Sequence, residues 1–122
     1  EELDHAMKFY EYVYQKNGSI ELEKIDKPQI TYDGAIDVFE KGYQHEQLVT
    51  KKIYELTDIA YEAKEHATIS LLKWFIDEQV EEENNFNAIL KKVRRCEGNP
   101  AALYLLDDEL AKRVYAPAGM QA

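Results

Sequence analysis

The sequence is poor in residues that break or staple a chain. Five glycines and three prolines in 122 residues leave few places for turns, so regular elements are expected to be few and long. The single cysteine, Cys96, excludes an intrachain disulfide framework and fits a reducing, cytoplasmic setting. No apolar run approaches the ~18 residues that a membrane helix needs. The opening Glu1-Glu2-Leu3-Asp4-His5 lacks the charged-then-apolar pattern of an export signal, and with no Met at position 1 a mature or partial chain is the expectation. Positive charge is scarce too: 15 Lys and Arg stand against 24 Asp and Glu, for a net charge of −9. That balance argues against nucleic acid as a partner, because phosphate backbones are held through an excess of Lys and Arg. It favours cations, or serves solubility alone.

What is present is helical. Hydrophobic residues make up 45% of the chain, enough for the core of one domain over 1–122. Residues 1–17 form a first helical segment, with Phe9 and Val13 on the face that carries Glu2 and His5. Asn17-Gly18 ends it, since both residues tolerate a left-handed cap. Residues 18–32 contain Pro28 and loosely alternating Ile20, Leu22 and Ile25. They read as a long crossover connection, with a short strand as the other option. Residues 33–63 form the next helix, with Asp33 as N-cap and a stripe of Ile36, Phe39, Tyr43, Glu46, Thr50, Ile53, Leu56 and Ala60. Residues 65–96 carry Ile69, Leu72, Phe75, Ile76, Gln79, Glu82, Phe86, Ile89, Leu90 and Val93. Pro100 opens a short helix over 100–114 that uses Leu103, Leu106 and Leu110. The tail 115–122, with Pro117 and Gly119, is expected to fray.

Polar residues interrupt these apolar stripes. Glu46 sits midway along its helix, Gln79 and Glu82 interrupt the next, and Glu2 and His5 interrupt the first. An unpaired buried carboxylate costs several kcal/mol. Two readings stay open for each: a solvated helix face, or a shared cation. The cation accounts for all three interruptions at once. Carboxylates with one imidazole suit iron or manganese better than structural zinc, which prefers thiolates. Asp77, Glu78, Glu81, Glu82 and Glu83 also crowd one stretch. Like charges at that spacing cost a helix ~0.2–0.5 kcal/mol per pair, a penalty that a cation reverses. Glu1, Glu78 and Glu81 form a second, more exposed candidate cluster. Trp74 and the tyrosines Tyr43, Tyr54 and Tyr61 read as packing, and His45 and His66 as surface residues. There is no Gly-rich phosphate loop and no nucleophile–base pair.

Several stretches resemble the non-haem ferritins of bacteria and archaea. Glu1-Glu2-Leu3-Asp4-His5-Ala6-Met7-Lys8-Phe9 is similar to the middle of that family's second helix. His45-Glu46-Gln47-Leu48-Val49-Thr50-Lys51 resembles its third, and Trp74-Phe75-Ile76-Asp77-Glu78-Gln79-Val80-Glu81-Glu82-Glu83 its fourth. Ala102-Leu103-Tyr104-Leu105-Leu106-Asp107-Asp108-Glu109-Leu110 resembles its short fifth helix. The resemblance implies an all-α, ferritin-like four-helix bundle with a long crossover and a short C-terminal helix, whose first helix is missing from this sequence.

It also implies roles. Glu2 and His5 match ligands of a first iron site, with Glu2 bridging to a second held by Glu46 and Glu82. Gln79 matches a residue beside the pair, and Glu1, Glu78 and Glu81, with Glu82, match a third iron site. The implied activity is oxidation of Fe(II) by dioxygen or peroxide, followed by storage of ferric mineral inside a homo-oligomeric shell of twenty-four subunits. Gln79-x-x-Glu82 stands where haem-binding relatives carry Glu-x-x-His, so no haem is expected. The family's first helix supplies a further Glu ligand and a Tyr, and the sequence as it stands holds an incomplete site. The expectation is that further N-terminal residues exist. The competing reading is a catalytically incomplete fragment that serves assembly alone. A peroxide-reducing di-iron bundle is disfavoured, because its usual rubredoxin-like site needs four cysteines.

Overall fold

The structure, a computed structural model, describes residues 1–115. It contains four helices: α1 (Glu2–Gln15), α2 (Ala35–Glu62), α3 (His66–Arg95) and α4 (Pro100–Leu110). Two compact units are present. One comprises residues 1–29 together with residues 109–115, and the other spans Ile30–Asp108. No helix among the described residues is long and apolar enough to cross a membrane. The expected fraying over 116–122 lies outside the described residues.

In the first unit, α1 ends as its sequence dictates. Asn17 adopts a left-handed conformation, φ +57°. Its N–H donates to Tyr14 O at 2.9 Å, and the Gly18 N–H donates to Val13 O at 2.8 Å. This pair of bonds satisfies carbonyls that the helix end would otherwise leave without partners. Gly18 also lies close against Val13, whose Cγ1 would stand 2.7 Å from an added β-carbon. Farther along the chain in the same unit, the Tyr115 hydroxyl donates to Asp4 Oδ2 at 2.7 Å. Residues 18–32 form neither helix nor strand.

The second unit is built on α2 and α3. Glu40 meets Arg94, Gly42 meets Phe86 and Glu46 meets Gln79. One number rises as the other falls, so the helices run antiparallel. The core of this unit is Ile53, Ala60, Leu72, Phe75, Leu90, Val93 and Leu106. Trp74 stacks edge-on to Phe75, centroids 4.9 Å apart.

Several expectations need correction: Tyr54 and Tyr61, read as packing, and Leu103, assigned to the apolar face of the last helix, are all exposed. Leu56, assigned to the α2 stripe, is 44% exposed, and Thr57 is buried instead. The core face runs through Glu46, Ile53 and Ala60 at seven-residue spacing. Thr57 lies beside that line, whereas Leu56 falls on the flank. Burial of Thr57 is tolerable because its hydroxyl donates back to Ile53 O at 2.8 Å.

Asp33 is not the N-cap of α2. Gly34 is, with φ +91°, a conformation that favours glycine. Asp33 contributes its N–H, which donates to Asp37 Oδ2 at 3.0 Å. Lys41 Nζ reaches the same oxygen at 3.1 Å. The backbone bond first, and Lys41 second, hold the Asp37 carboxyl below its ordinary range.

The last helix stops at Leu110 rather than running to 114. Lys112 N–H donates to Glu109 O and Arg113 N–H to Leu110 O, both three residues back. These tighter bonds close the helix. Its start is capped by the Asn99 side chain, which accepts from the Ala102 N–H at 3.1 Å.

Candidate metal centre

Sequence spacing sets the local geometry. Glu46 lies on the core face of α2 and Gln79 on that of α3, and both are buried, at 8% and 4% exposure. Gln79 Nε2 stands 3.2 Å from Glu46 O, 3.3 Å from Glu46 Oε2 and 3.2 Å from Thr50 Oγ1. Three oxygens around one amide atom fix the amide orientation. The flipped alternative would set the amide oxygen against the Glu46 carboxylate and carbonyl. Thr50 Oγ1 in turn lies 2.6 Å from Glu83 Oε1 and 3.0 Å from Glu46 O.

Glu46 forms no ion pair among the described residues. Its carboxylate is therefore buried with an amide donor but no cationic side chain. Such a group calls for a counter-charge from elsewhere. Its oxygen donors suit a hard or borderline cation. The chemistry these oxygens offer is cation binding.

The other predicted residues are distributed as follows. On α3, Glu82 and Glu78 are half-buried and Glu81 is exposed. At the start of α1, Glu1 and Glu2 are exposed and His5 is half-buried. His5 Nδ1 lies 3.8 Å from Glu2 Oε2, so the two share one helical face. His45 and His66 are exposed, and Cys96 is a partly buried free thiol. Gln79, expected as a ligand or a hydrogen-bonding group, turns its amide nitrogen to Glu46.

Sequence reasoning placed Thr50 on the α2 stripe and Glu83 among the crowded acids, but gave neither a role at the site. Spacing alone shows that Thr50 follows Glu46 by four residues and Glu83 follows Gln79 by four, which puts each on the same helix face as its site residue. Which residues meet across two antiparallel helices is not contained in that spacing.

Comparison with known proteins bears on this arrangement. The profile of the ferritin-like domain matches residues 1–96. A bacterial non-heme ferritin of Staphylococcus aureus (strain USA300) is 36% identical over 115 residues, which cover 94% of this chain and 69% of that protein. The corresponding protein of Staphylococcus haemolyticus is 37% identical over the same length. Among solved structures, the open pore ferritin of the archaeon Archaeoglobus fulgidus superposes with a TM-score of 0.91 at 39% identity, covering 93% of this chain and 70% of the other. A humanized archaeal ferritin gives 0.93 at 40% identity, over 95% of this chain and 70% of its own. The fold class expected from the sequence is thereby established. The chain belongs to the ferritin family, within its prokaryotic non-haem group, and that membership implies iron binding and storage.

Proposed function

We propose that this protein oxidises Fe(II) to Fe(III) at a paired-iron centre and stores the ferric product as mineral. The observation that carries the reading is the buried Glu46 carboxylate without a cationic partner. Iron is substrate and cargo here. Glu2 and His5 supply a carboxylate and an imidazole, with Glu2 bridging, and Glu46 and Glu82 supply carboxylates to the second ion. Gln79 orients Glu46. Glu1, Glu78 and Glu81, with Glu82, hold a third ion in transit. Two Fe(II) ions give up one electron each, and one dioxygen takes both, with two protons, to leave as hydrogen peroxide. Peroxide serves as the alternative oxidant.

Storage requires an enclosed volume, and a hollow shell of twenty-four copies provides it. Resemblance to the ferritins supports that number. The single Cys96 supports a cytoplasmic setting.

The test is direct. Protein is loaded anaerobically with Fe(II), and ferric absorbance is followed after oxygen is added. Glu46→Ala and His5→Ala are each expected to slow the rise by at least about tenfold, the usual scale for disturbing a metal site. Native rates in both variants would remove the assignment and leave an assembly protein without a working centre.

A further inference from the structure

The hydrogen bonds behind Gln79 reach beyond the iron ligands, and the inference drawn from them rests on the iron-binding reading above. We propose that Thr50 and Glu83 are positioning residues that hold Gln79 so that one oxygen of Glu46 is pinned and the other is left to ligate. Thr50 has one hydroxyl hydrogen and two acceptors in reach, Glu83 Oε1 at 2.6 Å and Glu46 O at 3.0 Å. The carboxylate is nearer and charged, and the Glu46 carbonyl already serves the helix ladder and Gln79. The hydrogen therefore points to Glu83. The lone pairs of Thr50 Oγ1 then face Gln79 Nε2, 3.2 Å away.

This fixes Gln79 on both sides. One amide hydrogen goes to Thr50 and the other to Glu46, shared between its carbonyl at 3.2 Å and its Oε2 at 3.3 Å. Glu46 Oε1 accepts no hydrogen bond among the described residues. The carboxylate is thus divided into a held oxygen and an open one, which is the geometry of a one-oxygen ligand. Glu83 sets the direction of the Thr50 hydroxyl, Thr50 sets the flip of the Gln79 amide, and the amide sets the rotation of Glu46. Thr50 and Glu83 thus act on the cation only through Gln79 and Glu46.

The test uses the whole protein, freed of metal and titrated with Co(II), whose visible absorption reports ligation without turnover. Thr50→Val keeps the side-chain shape and removes the hydroxyl. It is expected to weaken Co(II) binding about tenfold, the usual effect of an outer hydrogen-bonding partner, with Thr50→Ser restoring it. Adding Thr50→Val to Gln79→Ala should cost nothing further, because the two act in series. Glu83→Ala breaks the same chain from α3 and gives an independent reading if Thr50→Val does not fold. Glu46→Ala is the control. If it leaves Co(II) binding intact, the iron-binding reading itself is overturned. If it abolishes binding while Thr50→Val and Glu83→Ala bind as the native protein does, the positioning role alone is overturned. Equal loss in Thr50→Ser and Thr50→Val would also overturn it, since packing would then be the cause.

Discussion

Gln79 differs from glutamate by one amide nitrogen, and that nitrogen decides what Glu46 can do. With the amide in place, Glu46 is held by a neutral donor 3.3 Å from Oε2. Gln79→Glu would replace the donor with a second carboxylate and set two like charges at contact. The metal-free variant is expected to be less stable by about 1–3 kcal/mol, the scale of a buried polar group that loses its partner. Added divalent cation should recover much of the loss. Urea unfolding with and without Co(II) reads both, and equal midpoints for native and variant protein without metal would contradict the argument. Gly42 is a second position where one atom matters. A β-carbon there would run into the Phe86 ring. Alanine gains ~1 kcal/mol of helix propensity over glycine, but overpacking costs about 1–3 kcal/mol. Gly42→Ala should therefore lower the unfolding midpoint, and pairing it with Phe86→Leu should restore it.

Helix ends show what a sequence announces and what it conceals. The end of α1 was legible, because Asn17 and Gly18 are residues that favour left-handed backbone. The break between α2 and α3 carries no such residue. Lys64 takes the left-handed conformation, φ +55°, and its N–H donates to Tyr61 O at 3.1 Å while the Glu65 N–H donates to Ala60 O at 2.9 Å. The two bonds offset the strain of a side chain in that region. Lys64→Gly is therefore expected to stabilise the protein by about 1 kcal/mol, the lower end of the left-handed penalty for an L-residue, readable as a raised urea midpoint.

The start of α2 misleads in the opposite direction. Asp33 is a good cap by residue type, yet Gly34 occupies the cap and Asp33 serves through its backbone. Asp37 is what secures this end. Its carboxyl is held below the ordinary range, so its contribution is present at neutral pH and is lost as pH falls through that lowered value. Asp37→Asn should flatten this acid limb of the stability profile and leave the alkaline side unchanged. The apolar stripes, and the burial of Glu46 and Gln79 within them, could be read from three- and four-residue steps. The bonds joining Thr50 to Glu83 could not, since partners 33 residues apart leave no periodic trace.

On the scale of the whole molecule, the connection after α1 exposes large apolar side chains. Leu22 and Ile25 are 82% and 96% exposed. Exposed apolar surface of this kind is typical of contacts between chains, and it accords with the proposed multi-subunit shell. Leu22→Asp with Ile25→Asp is expected to shift the protein toward smaller species in analytical ultracentrifugation while far-ultraviolet dichroism stays native. A particle of unchanged size would exclude those residues from the contacts that build it.

The brevity of the turn between α2 and α3 has a bearing on time. Joining two helices of 28 and 30 residues through residues 63–65 makes their first encounters local, and short closures are fast and cost little chain entropy. Pulse-labelled hydrogen exchange during refolding should find amides near Glu46 and Gln79 protected among the earliest. On that schedule, the newly made chain has its carboxylate and partner amide already matched before any cation arrives.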